Sequence, residues 1–334
     1  MHLKIYFYPF LFLFLCSCAS EKKQNVEYVS ATHEVLDDEI MTTMPGTLYV
    51  ADDFLVWEDP FARDYFAHVH EKATGRKVGV MGKVGEGPRE FITGELHSEC
   101  IDNRFFAIDV NGNTCGFLSI DSLVQGKDTF VALSEEEKAA LPKMPERVKG
   151  LYIGTTKNGD KSYFKAMVQG KEVEFGKYPI PQAKQHVSGS MAYNQERGVL
   201  VYACSRFPYL VLYKRDGSEF SLAWENVSDG REYEVRDGEV VFDRRYGGIF
   251  GLCLSKDYII ALQRDRTKDD MDESTVGRDV KKCPHTVFLY DYAGNLQKIV
   301  DLGIPVMRIA AKENDNTLYA IGANPDYVLV KYDL

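Results

Sequence analysis

The sequence has few cysteines, no basic block, almost no helical pattern and, past its first fifteen residues, no long apolar run. Each lack removes a class of protein. Of the seven cysteines, Cys16 and Cys18 fall near the start, which leaves Cys100, Cys115, Cys204, Cys253 and Cys283. Those five are odd in number and show no C-x-x-C spacing, so neither a disulfide framework nor a zinc site is indicated. Cys204 and Cys253 stand in apolar, strand-like runs ("LVYACS", "FGLCLS") and read as buried, inert thiols. Forty Lys and Arg against fifty Asp and Glu give a formal charge of −10, with the cations scattered along the chain. No electrostatic footprint for nucleic acid results, and none is expected as a partner. No Gly-x-Ser-x-Gly elbow is present either; "VSGSMAY", residues 187–193, comes nearest and lacks the flanking pattern.

The one long apolar run is terminal. "MHLKIYFYPFLFLFLCSCAS" opens with a cation at Lys4, runs apolar over residues 5–15 with only Pro9 inside, and ends in small residues. It is shorter than the roughly 20 residues of a membrane span and reads as a secretory signal. Leu15-Cys16-Ser17-Cys18 resembles a bacterial lipobox, although Cys16 stands where a small non-thiol residue is usual. The resemblance implies cleavage before Cys18 and lipid on its sulfur and new amino terminus. Several acyl chains, at roughly 0.8 kcal/mol per buried methylene, make such an anchor effectively permanent. Residues 1–17 are therefore expected to be a signal, 18–38 a lipidated tether with a ring-closing strand, and 39–334 a single propeller domain. The chain is 45% hydrophobic, ample for such a core.

Beyond the tether only "LSEEEKAALPKM", residues 133–144, has helical composition, and Pro142 closes it. The rest is short apolar runs separated by Gly, Asn and Asp. They recur as strand, polar turn, strand from Thr47 ("TLYVADDFLVWED"), Ser98 ("SECIDNRFFAID"), Lys149 ("KGLYIGTTKNGDKSYFKAMV"), Ser190, Ile249 and Val306. Most copies continue into a third and fourth strand, as in "YLVLYKRDGSEFSLAW" and "TVFLYDYAGNLQKIVDL", whose Asp216-Gly217 and 293–295 turns accept positive φ cheaply. Six such meanders at roughly 40 to 55 residues predict an all-β, six-bladed β-propeller of four-stranded antiparallel blades. The sixth copy ends at its third strand, "YVLVKYDL"; residues 26–36 are expected to supply the fourth and close the ring.

"GKVGEGPREF", residues 82–91, has the glycines of a phosphate cradle. A phosphate loop must lead a strand into a helix, and here no helix follows and no Lys-Ser/Thr pair completes the pattern. The stretch reads as a crossing between blades. It resembles the G-x-x-G-x-G-P-x-x-F connector of NHL-type propellers and of the TolB-like six-bladed propeller lipoproteins of Gram-negative bacteria, with Arg89 where such loops often carry a second glycine. That resemblance covers essentially the whole mature chain. It implies an envelope lipoprotein at the outer membrane, facing the periplasm or the outside.

Candidate ligand groups follow from the predicted blades. Loops joining one blade to the next, and second strands to third, share one face. Arg89, Glu90, Asp109, Arg206, Phe207, Tyr209, Arg264, Arg266, Asn324 and Asp326 map there. Arginines around one mouth bind carboxylates, sugar acids or phosphates bidentately, or else pair with neighbouring acids. The exposed aromatics of "PFARDYFAH", residues 60–68, stack on sugar rings or cap the blade. The insertion 264–285 carries Asp269, Asp270, Asp272 and Glu273 without a calcium-loop spacing, and reads as a solvated lid. His68 and His70 share a strand face at a chelating spacing, with no third ligand nearby, and are expected as solvated surface histidines.

These readings converge on a monomeric, lipid-anchored binding or scaffolding module for a protein or glycan of the cell envelope, with no cofactor. Two alternatives remain open. One is a metal-dependent propeller lactonase or lyase with a central calcium ion; the other is an envelope sensor or assembly factor. Fold alone does not decide between them.

Overall fold

Burial along the strands shows why the chain folds as it does. Val199–Cys204 is buried at all six positions, whereas Glu219–Val227, two strands later in the same sheet, is mostly exposed. An inner strand of a blade is packed on both faces by the neighbouring blades, and an outer strand borders solvent. The computed structural model describes residues 26–141, 146–148, 151–227, 232–243, 247–265 and 280–334.

Six meanders form the ring. Their first strands, which line the centre, are Leu48–Ala51, Gly94–Ile101, Glu146–Val148, Gly189–Asn194, Gly251–Leu254 and Val306–Ala311. Successive side chains on a middle strand serve opposite neighbours. Leu200, Tyr202 and Cys204 join the aromatic core between blades three and four, while Val199, Val201 and Ala203 join the core between blades four and five. Three further clusters fill the junctions of blades one and two, five and six, and six and one.

Ring closure follows the expected route with one addition. Glu34–Asp37 pairs antiparallel with Tyr327–Asp333 (Glu34 beside Lys331, Val35 beside Val330) and becomes the fourth strand of blade six. Glu27–Ser30 lies parallel on Leu296–Asp301, the outer strand of blade five. The amino-terminal segment thus straddles two blades.

Other details depart from the sequence reading. In the third copy the "LYIGT" and "FKAMV" runs are the second and third strands, because Glu146–Val148 takes the inner place. Three residues are too few to display an alternating pattern. The expected helix is present as Glu135–Ala140, started by a reciprocal capping box between Ser134 and Glu137. A second helix, Ile120–Val124, interrupts blade two, and its Leu123 covers Gly79 of blade one. A hairpin of Tyr233–Arg236 and Glu239–Phe242 separates blade four from blade five and packs Tyr233 and Phe242 on Phe207.

The glycine-rich stretch is a blade crossing, as expected. Val84 bridges Phe91, whose buried ring meets Phe66 and Phe130 edge-on. Gly82 has φ +70°, and a Cβ there would strike the Phe66 ring.

Candidate functional site

A cavity of about 640 Å³ occupies the middle of the ring. Its walls are the inner strands of blades one, two, four, five and six, with Val50, Met191, Ala192, Leu252 and Ile309 among the apolar contributors. Its rim lies at the turns between first and second strands, where Asp52, Asp102, Asn103, Gln195, Lys312 and Glu313 gather. Its volume falls within the range of small-molecule sites, and its lining mixes polar and apolar groups in about equal measure.

The rim is tied across the ring seam. Lys312 Nζ donates to Asp52 at 2.5 Å and holds that carboxyl below its ordinary range. Cys100 lines the same cavity; burial, with the nearby Asp52 charge second, pushes its thiol up to about 12. Cys253, also in the wall, is raised by burial alone. Both thiols are therefore poor nucleophiles, since only the thiolate reacts.

At the opposite end of the channel a carboxylate joins two blades. Glu58, buried at the end of a second strand, accepts from Leu96 N–H at 2.5 Å and from Thr47 N–H at 3.1 Å. Tyr49, from the first strand, donates its hydroxyl to Leu96 C=O at 2.8 Å. Burial outweighs these donors and raises Glu58 to about 7. Arg308, on the inner strand of blade six, is placed beside them by a bulge: pairing passes from Val306–Gly322 to Arg308–Ile321, leaving Met307 as the extra residue. Its Nε donates to Gly46 C=O at 2.8 Å and its Nη1 to Met307 C=O at 3.0 Å. Burial lowers its pKa.

Of the residues singled out from sequence, those in the described loops lie on the connector face, and several prove to be internal ties. Arg89 pairs with Asp128 at 2.7 Å, also bonds Phe130 C=O, and leans on the Phe130 ring. Glu90 accepts from Gly87 N–H and pairs with Lys83 at 2.6 Å. Asp109 closes its own loop through Ile92, Thr93 and Asn111 N–H groups. Arg206 lies over Phe242, while Tyr209 is buried in the core between blades three and four. Arg264 follows the second strand of blade five, and Asn324 is exposed in the loop of blade six. Phe61 and Tyr65 stay exposed. Cys18, Arg266 and the carboxylates 269–273 lie outside the described residues.

The expectation for the paired histidines is corrected. His70 is buried: its Nε2 accepts from Trp57 Nε1–H at 3.2 Å, which leaves the proton on Nδ1 to bond Gly75 C=O at 3.0 Å, with Asp37 at 3.4 Å. His68 stacks flat on Trp57 at 4.1 Å, with both ring nitrogens buried and without a hydrogen bond. The closing strand explains both, because it covers the part of blade one that a bare outer hairpin would expose. Among the described residues no group of three or more His, Cys, Asp or Glu is placed to hold a metal ion.

Sequence reasoning missed Asp52, Glu58, Arg308 and Lys312. A signal existed for the rim: "ADD" and "KEN" occupy the same first turn in two copies.

No protein-family model and no curated protein matches the chain. Solved structures do. A DUF4221 family member from Bacteroides vulgatus is 12% identical with a TM-score of 0.55, covering 93% of this chain and 98% of its own. A putative exported protein from Bacteroides fragilis is 10% identical, TM-score 0.55, covering 92% and 98%. Regucalcin from Agrobacterium tumefaciens, described as a calcium-binding protein, is 13% identical, TM-score 0.51, covering 92% and 95%. At these identities the likeness shows the propeller fold alone.

Proposed function

We propose that the chain is an exported, lipid-anchored binding or scaffolding module of the cell envelope, monomeric and without a cofactor, which receives part of a protein or glycan in its central channel. The observation that carries this reading is the 640 Å³ cavity, with its mixed polar and apolar lining and its seam-tied rim. A rigid ring offers such a cavity at little ordering cost, which favours recognition. Anchoring through Cys18 rests on the lipobox resemblance, and outer-membrane placement on the TolB-like resemblance. Export also agrees with the description of the Bacteroides fragilis neighbour.

Among the described residues no group of three or more His, Cys, Asp or Glu stands where it could hold the metal of the lactonase alternative. The perturbed carboxyl, Glu58, has its oxygens engaged by main-chain donors that join two blades.

The test is a screen of envelope glycans and peptides against the full chain and a Ser190→Trp variant, which adds an indole at the cavity wall. Binding by the first and not the second supports the proposal. Binding that survives the added indole, or a folded protein that binds nothing on the arrays, overturns it.

A further inference from the structure

Arg308 carries a charge that the fold positions but that no carboxylate among the described residues pairs with. Its guanidinium is oriented by two main-chain carbonyls, one of them Gly46 C=O across the ring seam. Of the five N–H groups of an arginine, three remain without a partner among the described residues. No carboxylate among those residues comes within ion-pair distance of it. The groups that influence it are Glu58, Cys283 and Tyr327. Glu58 is committed to Leu96 and Thr47, and the Tyr327 hydroxyl is turned to Thr43 C=O at 3.3 Å.

A half-buried guanidinium has lost part of its hydration, and such charges are ordinarily paired. Here the position is also built. The bulge at Met307 re-aims the side chain, and Gly46 is pinned by Glu58 C=O at 2.7 Å, so the carbonyl that fixes Arg308 is itself fixed. A pre-oriented arginine fork suits a bidentate oxyanion.

We propose that Arg308 anchors a binding site for an oxyanion, the carboxylate of a sugar acid or a phosphate group, at the end of the channel opposite the Asp52–Lys312 rim. The site is separate from the central cavity and stands whether or not that cavity is occupied.

The test is calorimetric titration of the full chain with sodium glucuronate, with inorganic phosphate and with neutral glucose. Saturable binding of one anion and none of glucose is expected; the anion that saturates identifies the source. Arg308→Gln should weaken it by about tenfold or more, Arg308→Lys by less, and Arg76→Gln, an exposed arginine paired with Glu71, should leave it unchanged. Unchanged affinity in Arg308→Gln, or no saturation by either anion, overturns the proposal. Should the variants fold poorly, phenylglyoxal labelling of the unaltered protein decides. The peptide bearing Arg308 must be protected by the bound anion, and equal labelling with and without it overturns the proposal.

Discussion

Tyr49 and Leu96 meet through one hydrogen bond, hydroxyl to main-chain carbonyl at 2.8 Å, that spans the inner strands of two blades. Glu58 takes the N–H of the same Leu96, so both polar groups of one residue are satisfied by blade one. Tyr49→Phe leaves the buried carbonyl without a donor. Unfolding in denaturant should show a loss of about 1–3 kcal/mol. A loss within error would mean that the blades hold their spacing by packing alone.

Glu58 gives the protein an unusual acid–base profile. Its folded carboxyl titrates near 7, against 4.5 for the ordinary side chain. Between those values the unfolded group is ionised while the folded one keeps its proton, so stability falls as pH rises. The change is of order 3 kcal/mol. Glu58→Gln should be less stable throughout but flat across that window; a slope equal to the parent's rules out Glu58 as its source.

His68 acts with the opposite sign. Burial, reinforced by Lys77, lowers it to about 4, so its contribution is present above 6.5 and lost as pH falls toward 4. His68→Phe keeps a ring against Trp57 and should flatten the acid limb of melting temperature against pH. Identical acid limbs would remove the buried imidazole from the account.

The two amino-terminal strands should differ in worth. Glu34–Asp37 completes blade six, and its own Leu36, with the following Ile40, packs into the core between blades six and one. Glu27–Ser30 is largely exposed. Truncation through Leu36 should lower the melting temperature far more than truncation through Ser30. Equal melting of the two truncated chains and the parent would show that the ring closes without a clasp.

Lipidation has a simple readout. Cys18→Ala should move the protein from the membrane fraction to the soluble one, and retention on the membrane would dismiss the lipobox reading.

The fold was legible because strand, turn and strand recur, and because the last copy lacks one strand that residues 34–37 restore. The site was less so. The strand pattern puts Arg89 and Asp109 on the connector face, but loop composition does not reveal that their polar atoms are taken up by Asp128 and by main-chain N–H groups. Arg308 was hidden for a different reason. Its direction depends on a one-residue bulge, and an alternating pattern read from sequence passes over such a shift. His70 was misjudged because its cover, Asp37 with Leu36, comes from a segment that the repeat pattern treats as outside blade one.

The pairing of Glu34 with Lys331 joins nearly the first described residue to nearly the last. In a chain made from its amino end, Glu34–Asp37 has no pairing partner until Tyr327–Asp333 has been synthesised. Until then blade six is one strand short and the ring stays open. Closure thereby reports that the sixth blade has been made, and a product that stops short of Tyr327–Asp333 leaves Glu34–Asp37 as an unpaired edge open to proteolysis.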